Sequence, residues 1–474
     1  MSAMHKKQIL WLAVLIQATI SGFAQSTATI NWTNVHQQID GFGASFDLEG
    51  QTLTSGQQAL FLGTGAGQLG LSIDRVPVPN GAEFPGSCAS VSASCAGSGI
   101  GTMISDMQAV VAAGGSIYAS NVGLPPAYIV SASGPCPPSG YGVNPVTGTL
   151  NPSDYGAYAQ WQLNFAESVK AQIGVYPKGI SLQNEPDQCD DGILWSPSYI
   201  DTFVKNNWGP TFNSNSIPTL IFIPEAGNYN PDLSALGGTC GTDSSCSQYA
   251  SFNLHDYDAQ LSGTNTVTPD PLPGGWPAHR YWETEASCTG SFPSFCTSDS
   301  SGDITNALYW GAVVDQRMQD NMNAWLWWEA TYTGVASYSL LDSTNTTVLK
   351  RGYMLGQYSK FVRPGYYRID ATHNPQSGVS VSAYQQTSSN TLVIIATNYT
   401  GSSLSQTFNI TNAPTFSTLA PTITSASQNL AQLSNVSLSG NSFTYTLPAQ
   451  SIMTFVGSTA SIPPPTNLSG TVVQ

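Results

Sequence analysis

Short apolar runs separated by longer mixed stretches fill the first three-quarters of the chain. Eight of them, at 41–46, 71–78, 116–120, 179–183, 219–224, 252–257, 280–284 and 324–328, are mostly β-branched or aromatic. Runs of that kind predict strands buried on both faces. The gaps hold stretches with helical spacing, such as 155–173 (YGAYAQWQLNFAESVKAQI) and 196–208. Strand then helix, repeated eight times, predicts an α/β fold of the (β/α)8 TIM-barrel type over residues 41–364. The uneven spacing puts long loops between the second and third strands and between the fifth and sixth.

Past residue 365 the pattern changes. The segments 379–384, 391–398, 405–410 and 442–447 alternate apolar with polar residues, between Gly, Asn and Ser turns. That predicts a C-terminal antiparallel β-sandwich side domain over 365–458. Residues 25–40 alternate too and are expected to add an N-terminal strand to it. Residues 459–474 read as a Pro-rich linker or tail. At the other end, His5-Lys6-Lys7 precedes an apolar stretch over 9–20 that is too short to span a bilayer, followed by Gly22 and Ala24. This predicts a signal peptide over 1–24 and an extracellular protein, with no membrane partner.

Composition narrows the chemistry. Only 9% of residues are charged, against about 25% in an average soluble protein. Ser, Thr, Asn and Gly take their place, a surface suited to neutral polar ligands. Losing Lys6 and Lys7 with the signal takes the formal charge from −15 to −17. No basic patch is available for nucleic acid or an anionic membrane. Export makes the eight cysteines a disulfide set. Cys88–Cys95, Cys240–Cys246 and Cys288–Cys296 are close in sequence, which leaves Cys136 for Cys189. Zinc spacing is absent.

Catalytic groups of such a barrel lie at the C-terminal ends of its strands. The fourth run ends in Asn184-Glu185-Pro186, where Pro stops the strand and leaves Glu185 at the rim. The seventh ends in Trp282-Glu283-Thr284-Glu285. Alternation sends Glu283 and Glu285 to one side, with Glu285 nearer the rim. Two carboxylates at one barrel mouth are what glycoside hydrolysis requires.

The strings QQIDGFGASF (37–46), ISLQNEPD (180–187), IPEAGNYN (223–230), YWETEAS (281–287), WLWWEA (325–330) and LPAQSIMTF (447–455) together resemble glycoside hydrolase family 30. The resemblance spans about residues 28–457 and is nearest the bacterial endo-xylanases and glucuronoxylanases. It implies Glu185 as acid/base, Glu285 as nucleophile and Asn184 as a donor to the sugar 2-OH. Arg75 matches an Arg beside the nucleophile, and His255 and Tyr257 a His-x-Tyr pair lining the site. Glu225 is expected as a partner behind the site or as a structural acid. Of the tryptophans closing the eighth run, Trp327 is expected to face the pocket.

Two departures bear on the substrate. Asn121-Val122-Gly123-Leu124-Pro125-Pro126 stands where the family carries a Trp. The basic pair that follows the eighth strand in glucuronoxylanases is replaced by Glu329-Ala330-Thr331-Tyr332. The expectation is a secreted, monomeric, retaining endo-β-1,4-xylanase that needs no cofactor, no metal and no glucuronic acid branch. Asp187-x-x-Asp190-Asp191-Gly192 lacks the EF-hand spacing. The alternatives are a glucuronoxylanase, a β-1,6-glucanase or galactanase, and an inactive carbohydrate-binding protein.

Overall fold

The computed structural model describes residues 26–46, 52–78, 100–121, 150–186, 193, 195–227, 238–255, 257, 261–262, 266–274, 276, 279–288, 303–334 and 336–459. The first strand, β1 (Thr27–Gln38), leaves for the second domain. The chain then lays down β2 (Gly41–Ser45), β3 (Ile73–Pro77), β4 (Ser116–Ser120), β5 (Gly179–Ser181), β6 (Leu220–Ala226) and β7 (Ala250–His255). A small hairpin, β8 (Leu261–Ser262) and β9 (Thr266–Val267), precedes β10 (Tyr281–Ala286) and β11 (Ala324–Trp327). Apart from the hairpin, these strands from β2 on run parallel and close into a barrel through the β11–β2 pair. Each of the eight apolar runs is a barrel strand. The helix expected over 155–173 is Tyr155–Ile173, stopped by Gly174, whose φ of 90° is left-handed.

The barrel axis is filled in two layers. The lower is apolar: Ile73, Tyr118, Phe222, Trp282, Ala324 and Leu326 pack together, with the Phe222 and Trp282 rings 4.8 Å apart. Gly179 lies in the same layer, and a Cβ there would strike the Phe222 ring. Two residues further along β3, β4 and β7, on the same face, stand Arg75, Ser120 and His255. A buried polar layer therefore sits directly on an aromatic plug, at the C-terminal mouth.

Two bulges complete that layer. On β10, Glu283 pairs with Leu254 but Glu285 pairs with His255, so β10 carries one residue more than β7. The extra residue turns Glu285 inward. Glu283 stays in the row of Leu254 and Trp325, which face the helices. Glu283 and Glu285 thus lie on opposite faces, contrary to simple alternation. On β6, Pro224 pairs with Asn253 and Ala226 with Leu254, which makes Glu225 the extra residue.

The second domain consists of β12 (Tyr367–Ala371), β13 (Val379–Gln386), β14 (Thr391–Asn398), β15 (Leu404–Thr411), β16 (Thr418–Thr424), β17 (Ala431–Gln432), β18 (Val436–Ser437), β19 (Ser442–Leu447) and β20 (Ser451–Ser458). β1 joins them between β12, antiparallel, and β15, parallel. Phe408 of β15 and Phe455 of β20 lie far apart in strand order, yet their rings are 5.7 Å apart. The sheet therefore folds over its own core as a sandwich. Its outer face lays Tyr384, Val393, Ile395 and Ile452 into the core of the barrel's helices.

A partly buried ion pair helps to hold the two domains together. His373 Nε2 lies 2.7 Å from Asp315 of helix Ile304–Gln319. Burial alone would push Asp315 up, but the His373 charge holds it below its ordinary 3.8. Burial opposes the His373 proton, and Asp315 outweighs it, so His373 rises above 6.5. The contribution of Asp315 is present above pH 3.8 and lost on acidification. That of His373 is complete below pH 6.5 and lost as pH rises through its raised value. His373→Ala is thus expected to destabilise by about 2 kcal/mol near pH 6, less than a fully buried pair because the imidazole is partly exposed. The loss should shrink at pH 9, as read by thermal unfolding at both pH values.

Cys240 and Cys246 form a disulfide. Cys288 is also disulfide-bonded, to a partner outside the described residues. Cys88, Cys95, Cys136, Cys189 and Cys296 lie outside them too.

Candidate active site

Arg75 is the centre of the polar layer. It is completely buried. Its Nη1 donates to Glu285 Oε2 at 2.5 Å, and its Nη2 to Asn184 Oδ1 at 2.7 Å, Ser120 Oγ at 3.1 Å and Glu225 Oε1 at 3.3 Å. A planar guanidinium presents five N–H donors in a rigid fork, so it can hold several acceptors in fixed directions at once. Burial alone would lower its pKa, but Glu285 and Glu225 drive it further up, so its charge is permanent.

Glu285 is held at both oxygens, because Tyr257 OH donates to Oε1 at 2.5 Å. Burial and the Glu285 charge both push the Tyr257 phenol up, so it remains a donor. Glu185 is the more open carboxylate, its side chain 13% exposed against 7% for Glu285. His255 stands between the two. Its Nδ1 lies 3.0 Å from Glu185 Oε1 and 3.6 Å from Glu285 Oε1. Its Nε2 lies 3.6 Å from Glu225. Burial opposes the imidazolium, but Glu285, Glu185 and Glu225 raise it to about 10. Glu185 and Glu225 have φ of 43° and 58°, left-handed values that non-glycine residues rarely adopt. Such backbone clusters at functional sites.

Glu185, His255 and Glu285 place one donor atom each within 4.8 Å of the others. That spacing would suit a metal ion, which would have to displace the His255 proton to bind there. Asn184 presents its carbonyl oxygen to Arg75, which fixes the amide nitrogen as its other end.

The structure brings Arg75, Asn184, Glu185, His255, Tyr257 and Glu285 together, and it removes Trp327. Ala324 and Leu326 face the barrel axis, so Trp325 and Trp327 face the helices. Trp327 is buried against Trp310, and its Nε1 donates to Tyr338 O. Trp328, of the opposite parity, stands in the mouth with the Arg75 guanidinium 5.3 Å from its ring centre. Glu225 was visible in sequence only as a lone acid. Tyr118 and Ser120, which bond it, carried no signal there beyond their strand. Glu329 is 1% exposed. Residues 122–126 and 187–192 lie outside the described residues.

Residues 365–455 match the model of the glycosyl hydrolase family 30 beta sandwich domain. The chain is 31% identical over 444 residues to glucuronoxylanase XynC of Bacillus subtilis strain 168, spanning 91% of this chain and 92% of that one. A crystal structure of a GH30 endoxylanase from Clostridium papyrosolvens C71 superposes with a TM-score of 0.73 at 30% identity, over 91% of this chain and all of that one. A family 30 subfamily 8 xylanase, Xyn30A from Clostridium acetobutylicum, gives 0.73 at 29% identity, over 91% of this chain and 99% of that one.

Proposed function

The chain belongs to glycoside hydrolase family 30, and from that membership we propose that it is a secreted, retaining endo-β-1,4-xylanase acting through Glu185 and Glu285. One observation carries the retaining reading: an oxygen of Glu185 and one of Glu285 lie within 4.8 Å of each other. Retaining enzymes hold their carboxyls about 5–5.5 Å apart, and inverting ones about 6.5–9.5 Å, to admit a water. The two surroundings differ as the two tasks require. Arg75 and Tyr257 fix Glu285 as a nucleophile, and the more open Glu185 meets the leaving oxygen.

In the first step Glu285 attacks C1, the C1–O bond breaks, and the Glu185 proton goes to the leaving oxygen. In the second, water adds to C1, its proton passes to Glu185, and the Glu285 ester is cleaved. Asn184 would donate to the sugar 2-OH, and Trp328 offers a ring face at the mouth.

The substrate is xylan without a need for glucuronic acid. Apart from Lys6 and Lys7, every Lys and Arg of the chain lies among the described residues. Among those, Arg75 alone contacts either carboxylate, and it is buried beneath them. Arg280 sits at the opposite end of β10, paired with Asp40. Lys350 is buried against Gln428 and Asn429 of the sandwich. No guanidinium is available to grip a branch carboxylate.

A panel of linear xylan, glucuronoxylan and β-1,6-glucan tests this reading. Linear xylan and glucuronoxylan should be cut at rates within about threefold. A required Arg–branch contact of about 1.5–3 kcal/mol would instead separate them by roughly 10–150-fold. Products all bearing a glucuronic acid at one fixed position, or release from β-1,6-glucan only, would refute the substrate assignment.

A further inference from the structure

We propose that Glu225 is a positioning residue for this reaction: a third, buried carboxylate that holds one cation against each of the two carboxylates that do the chemistry. The proposal rests on the roles given above to Glu185 and Glu285.

Glu225 is entirely buried, so it touches no substrate. The groups around it come from three other strands of the barrel. Arg75 of β3 lies 3.3 Å away, Tyr118 OH and Ser120 Oγ of β4 donate at 2.8 and 3.1 Å, and His255 of β7 lies 3.6 Å away. After β5, the Glu185 amide donates to the Glu225 carbonyl at 3.1 Å. Across the site, Glu285 of β10, with Tyr257 on it, faces the same two cations. The pattern is a square of alternating charge. Arg75 and His255 each lie between Glu225 on one side and Glu285 on the other. The Glu185 carboxylate meets the square at His255.

This arrangement has a use that Glu285 cannot fill by itself. When Glu285 becomes an ester to C1, its negative charge is gone. Arg75 would then have no carboxylate but Glu225, and His255 would have only Glu225 and the newly ionised Glu185, which must still take a proton from water. Glu225 never reacts, and it remains to hold both in place until water completes the second step. Burial alone would push the Glu225 carboxyl up, but His255 and Arg75 hold it below the usual range, so it is an anion throughout.

Glu225→Gln keeps the shape and removes the charge, and Glu225→Asp keeps the charge. In the Gln variant kcat on xylan should fall about 10–100-fold, with KM changed much less. Loss of a negative charge makes the field at Glu185 more positive and favours its carboxylate. The alkaline limb of kcat should therefore move to lower pH, by about one unit. In the Asp variant the limb should stay near its wild-type place. In the wild-type protein, ring 15N shifts should show His255 as an imidazolium at pH 8. The proposal is overturned by a folded Gln variant with wild-type kcat and limb. Equal losses in both variants with an unmoved limb mean packing alone and overturn it too. So does a neutral His255 ring in the wild type at pH 7, which decides the matter even if neither variant folds. Wild-type protein inactive on xylan would count against the enzyme reading, and the charge on His255 would still be measured.

Discussion

Glu185→Ala should lower kcat on xylan by about 10²–10⁴-fold, the usual worth of a positioned general acid. The loss in kcat/KM, which reports the first step, should be far smaller on an aryl xylobioside with a dinitrophenolate leaving group, which departs without a proton. Glu285→Ala should abolish turnover of both substrates, because the covalent intermediate cannot form. The difference between the two profiles identifies the roles, since a pair of merely structural acids would affect both substrates alike. Reversed profiles would exchange the roles. In the wild type, NMR of the first product should show the β-anomer, as the close spacing of the pair predicts. An α-anomer as first product would rule out the nucleophile assignment for Glu285.

Replacing Arg75 should produce the other large effect. Arg75→Met leaves Glu285 and Glu225 buried without their guanidinium. Breaking a buried pair from one side costs about 3–5 kcal/mol, unless a carboxylate takes up a proton. Proton uptake by Glu285 would silence the nucleophile. Activity should therefore fall by about 10²-fold or more, and the melting temperature should drop with it. What activity remains should need higher pH, because a lost positive charge favours the protonated carboxyl, so the acid limb of kcat/KM moves up. Arg75→Lys should recover stability better than rate. A single ammonium can neutralise one carboxylate but cannot also hold Asn184 and Ser120 in the guanidinium plane. Wild-type stability and an unmoved acid limb in Arg75→Met would show that the charge is not needed there.

Much of this protein is written locally in its sequence. A run such as 324–328 is a strand because its residues are bulky and apolar on both faces. The helix Tyr155–Ile173 ends where Gly174 admits a left-handed backbone. The strings around Glu185 and Glu285 were legible for the same reason: a stop such as Pro186, or a short acidic strand end, marks the rim of a barrel without reference to the rest of the chain. Parity was legible too, since Trp327 and Trp328 must point opposite ways.

The tertiary structure decided what parity alone leaves open, namely which face looks at the axis. Trp327 went to the helices because Ala324 and Leu326 are the side chains that fit beside Phe222 and Trp282 in a closed barrel. Glu285 left the face of Glu283 because β10 carries one residue more than β7, and Glu225 turned inward by the same device on β6. A bulge is a mismatch between two strands, so neither strand alone encodes it. The parallel pairing of β1 with β15 joins segments 380 residues apart, Thr27 to Thr407, for which local spacing holds no signal. The charge on His255 is of the same kind. It depends on three carboxylates from β6, β10 and the segment after β5, which meet only when the barrel closes.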